Sequence, residues 1–474
     1  MPPVYLWGLV FLTVVPAVFY TYVLTPTHII EDESYYQAAA KNILTSGHLG
    51  DLLKSQGWAF LVFLGYLLGG VNDHVSIHIS QLLGSGAIVG IFFLAVWAGF
   101  SLREAFIAAA IFTFVPARMF WAATGESHTA SIFFVIWAAA FSFLLYRTSE
   151  RNIFWLAISV WVFAGLVRCE TVVLFLFFIL CIGLFLPKNT CKKFPFLDAL
   201  FLAAIILMPQ MILEIGTALR GHWVQTAFNI SPDNFLHNAV FYGADFLNGH
   251  IHPVLLTLSA MLGLEVICHR SKRVAVVLAG WFFLLSITYF SLSWFGTYGN
   301  TTGIFLKTRL FVFFYPPLVL CAASAFVWAA DRYAFGFKAI ASAALCLGLI
   351  GWSILYYNYY TSRLDGFILQ MKLVDEIGQT VSPSDMVVAC FPDTLTSARL
   401  SSMATTDIDW FLQEDSWRRA AFGKAHKVYL VDDIFSQRRC QESVSLIKLK
   451  GKAVLVRQWT QGEKFFAVYS LSRF

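Results

Sequence analysis

Charged side chains are scarce in this sequence. Asp, Glu, Lys and Arg make up 13% of its 474 residues, whereas soluble proteins carry about 25%. Hydrophobic residues make up 58%, and the mean hydropathy is +0.68. The shortage of charge indicates that lipid is the main solvent of the chain. The small net charge of +5 gives no reason to expect a nucleic-acid partner, so we predict none.

Cysteines are also few, and their spacing excludes the common cysteine-based centres. None of the eight forms a Cys-x-x-Cys pair or another metal-like spacing. Most lie inside apolar runs, where we expect them to pack as small hydrophobic residues. The sequence also lacks internal repeats and low-complexity tracts.

Apolar runs of about 20 residues, the length needed to cross a bilayer, recur along the first three quarters of the chain. Hydropathy predicts about eleven membrane spans, near residues 4–24, 75–99, 104–121, 127–146, 153–167, 170–187, 196–218, 253–268, 274–294, 304–330 and 338–358. The first run lacks a basic leader and a small-residue cleavage site, so we interpret it as a retained span. The prediction is a polytopic α-helical membrane protein.

The loops between these runs predict the orientation. With the N-terminus inside, the inner loops are rich in Lys and Arg, as in YRTSERN (146–152) and CHRSKR (268–273). This asymmetry agrees with the positive-inside rule. Two outer loops are long, 25–74 and 219–252. Within the first, segment 58–71 is too short to cross and predicts an interfacial or re-entrant helix.

The composition changes after Tyr360. Residues 361–474 are charged and mixed, with strand-like runs such as MVVACF and KVYLVDD. We predict a membrane domain over 1–360, with outer juxtamembrane helices in 25–74, and a small extracytoplasmic α/β domain over 361–474. Cys390 and Cys440 could pair there in an oxidising compartment, although two cysteines in one domain are more often unpaired.

The first outer loop holds an acidic triplet, Glu31, Asp32 and Glu33, in the run EDESYYQAAAKNILTSGHLG. Asp32 and Glu33 open a predicted helix that ends at Gly47. A carboxylate there could simply cap the helix, because it accepts bonds from free backbone N–H groups. It could equally act as a general base that takes a proton from an acceptor hydroxyl.

Further charges lie at the outer ends of predicted spans, where they are costly and often functional. They are Lys54, Glu126, Arg168, Glu170, Lys307 and Arg309. Each could merely reach the headgroups or pair with a neighbour, and Arg168 with Glu170 or Glu126 is the obvious structural pair. Several cations on one face of the membrane would also suit a phosphate at the lipid–water boundary.

Five segments, in this order, resemble the GT-C glycosyltransferases that use polyprenyl-phosphate sugars, such as protein O-mannosyltransferases and lipid A aminoarabinose transferases. They are the acidic loop, KSQGWAFLVFLGYLLGG, ATGESHTASIFFVIWAAAFSFLLYR, GLVRCETVVLFLFF and KTRLFVFFYPPLVLCAASA. The resemblance covers roughly residues 1–330. It implies a GT-C type of fold and a lipid-linked donor.

The resemblance also implies roles for particular residues. Asp32, with Glu33 beside it, matches the family's proposed base, and Glu31 stands where a small residue is common. Lys54, Arg168 and Arg309, with Lys307 nearby, match positions that hold the lipid phosphate. Glu126 matches a supporting acid. The implied enzyme is an inverting glycosyltransferase that moves a sugar to a hydroxyl of a glycolipid, glycan or protein on the extracytoplasmic face of a bacterial inner membrane.

Other functions stay open at this point. Because the leaving group is already a phosphate, no metal cofactor is required, although the acids could bind a divalent cation. Many helices with buried charges also suit an ion-coupled transporter, and a ligase or polymerase that uses diphosphate-linked glycans is a rival enzyme.

Overall fold

The computed structural model describes most of the helical part of the chain and the strands near its C-terminus. The described residues are 2–22, 30–47, 56–72, 74–186, 194–220, 235–236, 238–240, 254–290, 311–332, 348, 351, 373–374, 377–382, 384–390, 404–407, 411, 427–432, 440–450, 452–461 and 464–472.

The chain divides into two compact units. The first unit contains Met1–Pro26, Asp51–Trp58 and Ser80–Tyr360, and the second contains Thr27–Gly50, Ala59–Ile79 and Thr361–Phe474. The division into a membrane domain (1–360) and an extracytoplasmic domain (361–474) stays a prediction.

Helices dominate the described residues before the C-terminal sheet. They are α1 (Pro3–Tyr22), α2 (Ile30–Ser46), α3 (Gln56–Gly69), α4 (His74–Ala98), α5 (Leu102–Thr113), α6 (Pro116–Ala122), α7 (Ser127–Thr148), α8 (Arg151–Val167), α9 (Thr171–Phe185), α10 (Phe196–Arg220), α11 (Val254–Arg270), α12 (Lys272–Phe290) and α13 (Tyr315–Arg332). Apolar helices of this kind fit the predicted polytopic membrane protein.

Among the described residues, three helices are long and apolar enough to cross a membrane: α4, α7 and α12. If the bent pair α5–α6 is counted as one span, the number of such spans is four. Helices α1, α3, α8, α9 and α10 have shorter described apolar stretches. The predicted span 338–358 lies almost wholly outside the described residues. The count of about eleven spans therefore stays a prediction.

The predicted single span 104–121 is wrong in shape, because it is broken into α5 and α6 with a bend of 65°. Pro116 occupies the first turn of α6, and its ring cannot continue the preceding helix. Buried Arg118 donates to the carbonyl of Thr113 at 2.9 Å and to that of Gly84 at 2.7 Å. Its cation thus satisfies a carbonyl at the C-terminal end of α5, where positive charge is favoured.

A close glycine contact and a buried carboxylate connect helices of the first unit. Helices α11 and α13 touch at Gly263, where a Cβ would clash with the carbonyl oxygen of Cys321. Glu104 caps α5 together with Ser101. Its carboxylate also accepts from Ser324 at 2.7 Å and from Arg270. This buried acid therefore joins the first turn of α5 to α11 and α13.

The second unit contains a mixed five-stranded sheet in the order β2-β1-β3-β5-β4. The strands are β1 (Met386–Ala389), β2 (Ala404–Asp407), β3 (Val428–Asp432), β4 (Val454–Gln461) and β5 (Lys464–Leu471), and α14 (Gln441–Lys450) precedes β4. β1 pairs in parallel with β2 and β3, whereas β5 runs antiparallel to β3 and β4.

The sequence of the central strands explains their place in the sheet. Every residue of β1 (MVVA) and β3 (VYLVD) is buried, as is usual for parallel strands covered on both faces. One face packs against Leu373, Val374 and Ile377. The other face packs against residues that include Val444 and Ile447 of α14.

A disulfide and a lysine also fasten α14 to the sheet. Cys390, after β1, forms a disulfide with Cys440, just before α14, so the possible pairing is confirmed and the alternative of two unpaired cysteines is wrong. The strand brings Cys390 beside the start of α14, a proximity that spacing along the chain does not reveal. Lys448 donates to Asp432 at 2.6 Å and to the Tyr469 hydroxyl at 3.0 Å.

Candidate active site

Glu126 belongs to the first unit and lies in the turn that precedes α7. Glu126 occupies the N-cap position of α7 with an extended backbone and is buried. The carbonyl of the preceding Gly125 accepts from the Trp58 indole at 2.9 Å, and that of Glu126 accepts from Ser80 at 3.4 Å. Helices α3 and α4 therefore hold this turn through its main chain, since buried carbonyls need donors.

Arg168 ends α8, and Glu170 begins α9 after a tight turn. The hydroxyl of Thr171 donates to the carbonyl of Arg168 at 2.8 Å and closes this turn. The Arg168 Nε donates to Glu170 Oε1 at 2.7 Å. The structural pair that the sequence suggested is thus present.

The guanidinium of Arg168 also reaches the first turn of α7. Its Nη1 lies 3.3 Å from Ser127 Oγ and 2.8 Å from His128 Nε2. His128 is fully buried, and its ring lies 4.8 Å from that of Trp121, centroid to centroid. Its Nδ1 is 3.8 Å from Glu126 Oε2. Glu126 and Arg168 are therefore brought together, with His128 between them.

This cluster combines one guanidinium, two carboxylates and an imidazole at the ends of apolar helices. Arg168 and Glu170 are partly exposed, at 16% and 21% of their side chains, whereas Glu126 is at 4%. A partly exposed cation with a buried polar support is chemically suited to bind an anion. Among the described residues, no group of three or more His, Cys, Asp or Glu side chains is arranged to hold a metal ion.

The residues that follow Lys54 are fixed beside the end of α8. The amide N–H of Gln56 donates to Gln210 at 3.5 Å, and Gln210 donates to the carbonyl of Gly165 at 3.4 Å. A Cβ on Gly57 would lie 2.7 Å from the main chain of Leu166, so only glycine allows this close approach. The start of α3 is thereby anchored three residues before Arg168.

In the second unit, α2 carries the acidic triplet. The helix begins at Ile30, so position 32 lies inside the first turn and is not the N-cap that one interpretation predicted. The first backbone N–H groups of a helix have no partner within the helix, so an acidic side chain is favourable at several positions of the first turn. The predicted end is confirmed, because Gly47 follows the helix with a φ of +71°, which glycine adopts easily.

Glu33 is buried in the second unit. Its Oε1 accepts from Gln37 Nε2 at 3.1 Å and from Ser76 Oγ at 3.0 Å. Gln37 and Ser76 also contact each other at 3.0 Å. This closed set of bonds attaches α2 to the first turns of α4.

Several predicted site residues are not described by the structure, wholly or in their side chains. Lys54, Lys307 and Arg309 are outside the described residues, and the side chains of Glu31 and Asp32 are not described. Their roles stay predictions. Ser127, His128, Gln37 and Ser76 were not singled out from the sequence. A signal existed only for His128, a titratable residue two positions after Glu126 at the start of an apolar run.

Sequence comparisons identify no relative: no family model matches the chain, and no curated protein matches it. The fold, by contrast, matches solved structures. ArnT from Cupriavidus metallidurans, bound to undecaprenyl phosphate, superposes with a TM-score of 0.58 at 14% identity over 97% of both chains. Its apo form gives 0.58 at 13% identity over the same shares.

A second group of matches comes from an archaeon. The Archaeoglobus fulgidus oligosaccharyltransferase, tethered to an acceptor peptide, gives a TM-score of 0.52 at 14% identity. That match covers 100% of this chain and 74% of the other. The chain has the GT-C fold. At these identities the GT-C likeness concerns architecture, and the chemistry has to be argued from residues.

Proposed function

We propose that this GT-C chain is an integral-membrane glycosyltransferase that moves a sugar from a polyprenyl phosphate to an acceptor hydroxyl. The observation that carries the proposal is the superposition on ArnT over 97% of both chains, in a structure that contains undecaprenyl phosphate. The acceptor would be a glycolipid, glycan or protein.

Positive side chains would bind the donor phosphate and stabilise it as it leaves. We assign this role to Lys54, Arg168 and Arg309, with Lys307 in support. The anchoring of Gln56 beside the end of α8 supports Lys54 and Arg168 as partners. Donors fixed before the reaction commonly contribute a few kcal/mol each to a developing anion. That contribution removes the need for a metal, although a divalent cation remains compatible with the acids.

Asp32 is our choice for the base that deprotonates the acceptor, which then attacks the anomeric carbon with inversion. The carboxylate of Glu33 accepts bonds from Gln37 and Ser76, which suits an anchor of α2. With Glu33 engaged as this anchor, we propose that the neighbouring acid at position 32 supplies the base. Glu31 and Glu126 would be supporting acids.

The proposed site faces the exterior. Lys and Arg concentrate in the predicted inner loops, which favours an extracytoplasmic location for 25–74 and 361–474. The Cys390–Cys440 disulfide supports the same side, because disulfides persist in oxidising compartments such as the periplasm. We propose that the enzyme lies in the inner membrane of a bacterium with this face toward the periplasm.

The test is transfer from radiolabelled polyprenyl-phosphate sugars by the purified full-length protein in nanodiscs. Loss of a general base should slow transfer by about 10²–10⁴-fold in Asp32→Asn. Loss of a phosphate donor should slow it by about 10²–10³-fold in Arg309→Ala. Glu33→Gln should retain more activity than Asp32→Asn, since an amide oxygen still accepts from Gln37 and Ser76.

Matched controls are Asp198→Asn and Arg151→Ala, which change exposed residues of the same types. Full activity in both Asp32→Asn and Arg309→Ala would refute the assigned roles. A donor panel that contains lipid monophosphate and diphosphate sugars decides between the proposed transferase and a ligase-type enzyme. Substrate uptake into proteoliposomes without transfer would favour a transporter.

A further inference from the structure

We propose that His128 is a positioning residue, kept as the neutral Nδ1–H tautomer so that the lone pair of its Nε2 fixes the guanidinium of Arg168. The tautomer follows from the contacts of the first unit alone. Its effect on catalysis rests on the proposed function, in which Arg168 binds the donor phosphate.

The protonation state follows from hydrogen-bond chemistry. The Arg168 Nη1 and His128 Nε2 are 2.8 Å apart, a normal hydrogen-bond length. A guanidinium has only donors and stays protonated in proteins. The imidazole nitrogen must therefore be the acceptor, so Nε2 carries no proton. A neutral imidazole then has its single proton on Nδ1.

The opposite side of the ring agrees with this assignment. His128 Nδ1 lies 3.8 Å from Glu126 Oε2, beyond direct hydrogen-bond length but close enough for the N–H dipole to be attracted by a carboxylate. A ring turned by 180° would place carbon atoms against both Arg168 and Glu126. The orientation with two favourable nitrogen contacts is therefore preferred.

The surroundings of His128 hold it in place. The residue is fully buried, and its ring packs against that of Trp121 at 4.8 Å between centroids. It lies in the first turn of α7, where the positive end of the helix dipole disfavours a second cation. In this position the ring points Nδ1 toward Glu126 and its Nε2 lone pair toward Arg168.

Arg168 is then held from two sides. Glu170 accepts from its Nε at 2.7 Å, while Ser127 and His128 lie against its Nη1. A planar group restrained at both edges has little freedom to rotate. Pre-organisation of this kind lowers the reorganisation needed when charge develops on a leaving phosphate. The simpler alternative is that His128 only fills space between α7 and its neighbours.

The tautomer can be measured without any enzyme assay. In full-length protein labelled with ¹⁵N-histidine and reconstituted in nanodiscs, His128→Gln identifies the His128 resonances by their disappearance. We expect a pyridine-like Nε2 and a pyrrole-like Nδ1 at neutral pH. A pyrrole-like Nε2 or an imidazolium pattern would overturn the proposal.

Two substitutions separate positioning from space filling. In His128→Gln the side-chain oxygen can replace the Nε2 acceptor, whereas His128→Leu has a similar size and no acceptor. We expect His128→Gln to keep kcat within about threefold of the unchanged protein. His128→Leu should lose about 10–100-fold, as for a misplaced catalytic group, with a similar melting temperature. His269→Leu, at an exposed position, is the control.

The outcomes are distinct. Equal kcat in the Gln and Leu variants, whether both high or both low, would contradict positioning by an acceptor. If even the unchanged protein transfers no sugar from any donor, the proposed function fails, while the resonances still decide the tautomer.

Discussion

The indole N–H of Trp58 donates to the carbonyl of Gly125 at 2.9 Å, and both residues are buried. This bond joins the start of α3 to the turn that precedes α7. Gly125, which precedes Glu126, is therefore held by Trp58. Trp58 lies only four positions after Lys54 in the sequence.

Trp58→Phe should destabilise the first unit. The change leaves the buried Gly125 carbonyl without its donor, which costs about 1–3 kcal/mol. Thermal unfolding in detergent measures this loss. The same substitution at Trp7, which is 70% exposed, serves as the control and should have little effect. Equal melting temperatures for both variants would show that the indole bond contributes nothing.

Gly263→Ala should disrupt the contact between α11 and α13. The added Cβ would overlap the main-chain oxygen of Cys321, and a helix backbone cannot move away as a side chain can. We expect a reduced yield of folded protein in size-exclusion chromatography. Gly183→Ala is matched, because nothing lies within 4 Å of its Cβ and alanine favours helix by about 1 kcal/mol. A normal yield of Gly263→Ala would contradict the close packing.

Lys448→Met should destabilise the second unit in a pH-dependent way. Burial lowers the pKa of Lys448, but its bonds to Asp432 and Tyr469 and the charge of Asp432 outweigh burial, so this pKa lies above its usual 10.5. A raised folded-state pKa gives stability that is fully present below the unfolded value and is lost as pH rises through the folded value.

The denaturant midpoint of the unchanged protein should therefore exceed that of Lys448→Met at pH 8, and the difference should shrink above about pH 10.5. Lys427→Met, at an exposed position in the same unit, should show no such difference. A gap between the two midpoints that stays constant up to pH 11.5 would exclude titration of Lys448 as its source.

Cys440→Ser should loosen the C-terminal sheet. The disulfide closes a loop with a sequence separation of 50, and a loop of this length stabilises by about 4 kcal/mol through the entropy of the unfolded chain. Pulse proteolysis in urea, followed by detection of a C-terminal fragment, measures the change. Cys268→Ser removes an exposed free thiol and is expected to leave the midpoint unchanged. An unchanged midpoint in Cys440→Ser would oppose this assignment.

The helices were the most predictable part of the fold, because a bilayer requires long apolar runs. The predicted span 153–167 corresponds closely to α8 (Arg151–Val167), and 170–187 to α9 (Thr171–Phe185). The bend between α5 and α6 was missed, because hydropathy does not register that Pro116 interrupts hydrogen bonding inside an otherwise apolar run. The Cys390–Cys440 disulfide was the less favoured of two alternatives, because its formation depends on the sheet that brings Cys390 to α14.

The charged residues of the candidate site could be predicted from the sequence, whereas the residues that they contact could not. The sequence identified Glu126, Arg168 and their possible pairing, since isolated charges stand out in apolar surroundings. It did not identify His128 as the group between them. That relation joins α7 to the end of α8, and a long-range contact of this kind has no local signature. The same applies to Gln37 and Ser76, which hold Glu33.

The order of strands has a consequence for biosynthesis. β5, the last of the described strands along the chain, lies between β3 and the edge strand β4, so the described sheet is completed by the strand that is synthesised last. Until residue 471 has emerged, β3 presents an unpaired backbone edge that chaperones and proteases can recognise. Nascent chains that stall before β5 should therefore be degraded, however well their preceding helices have inserted.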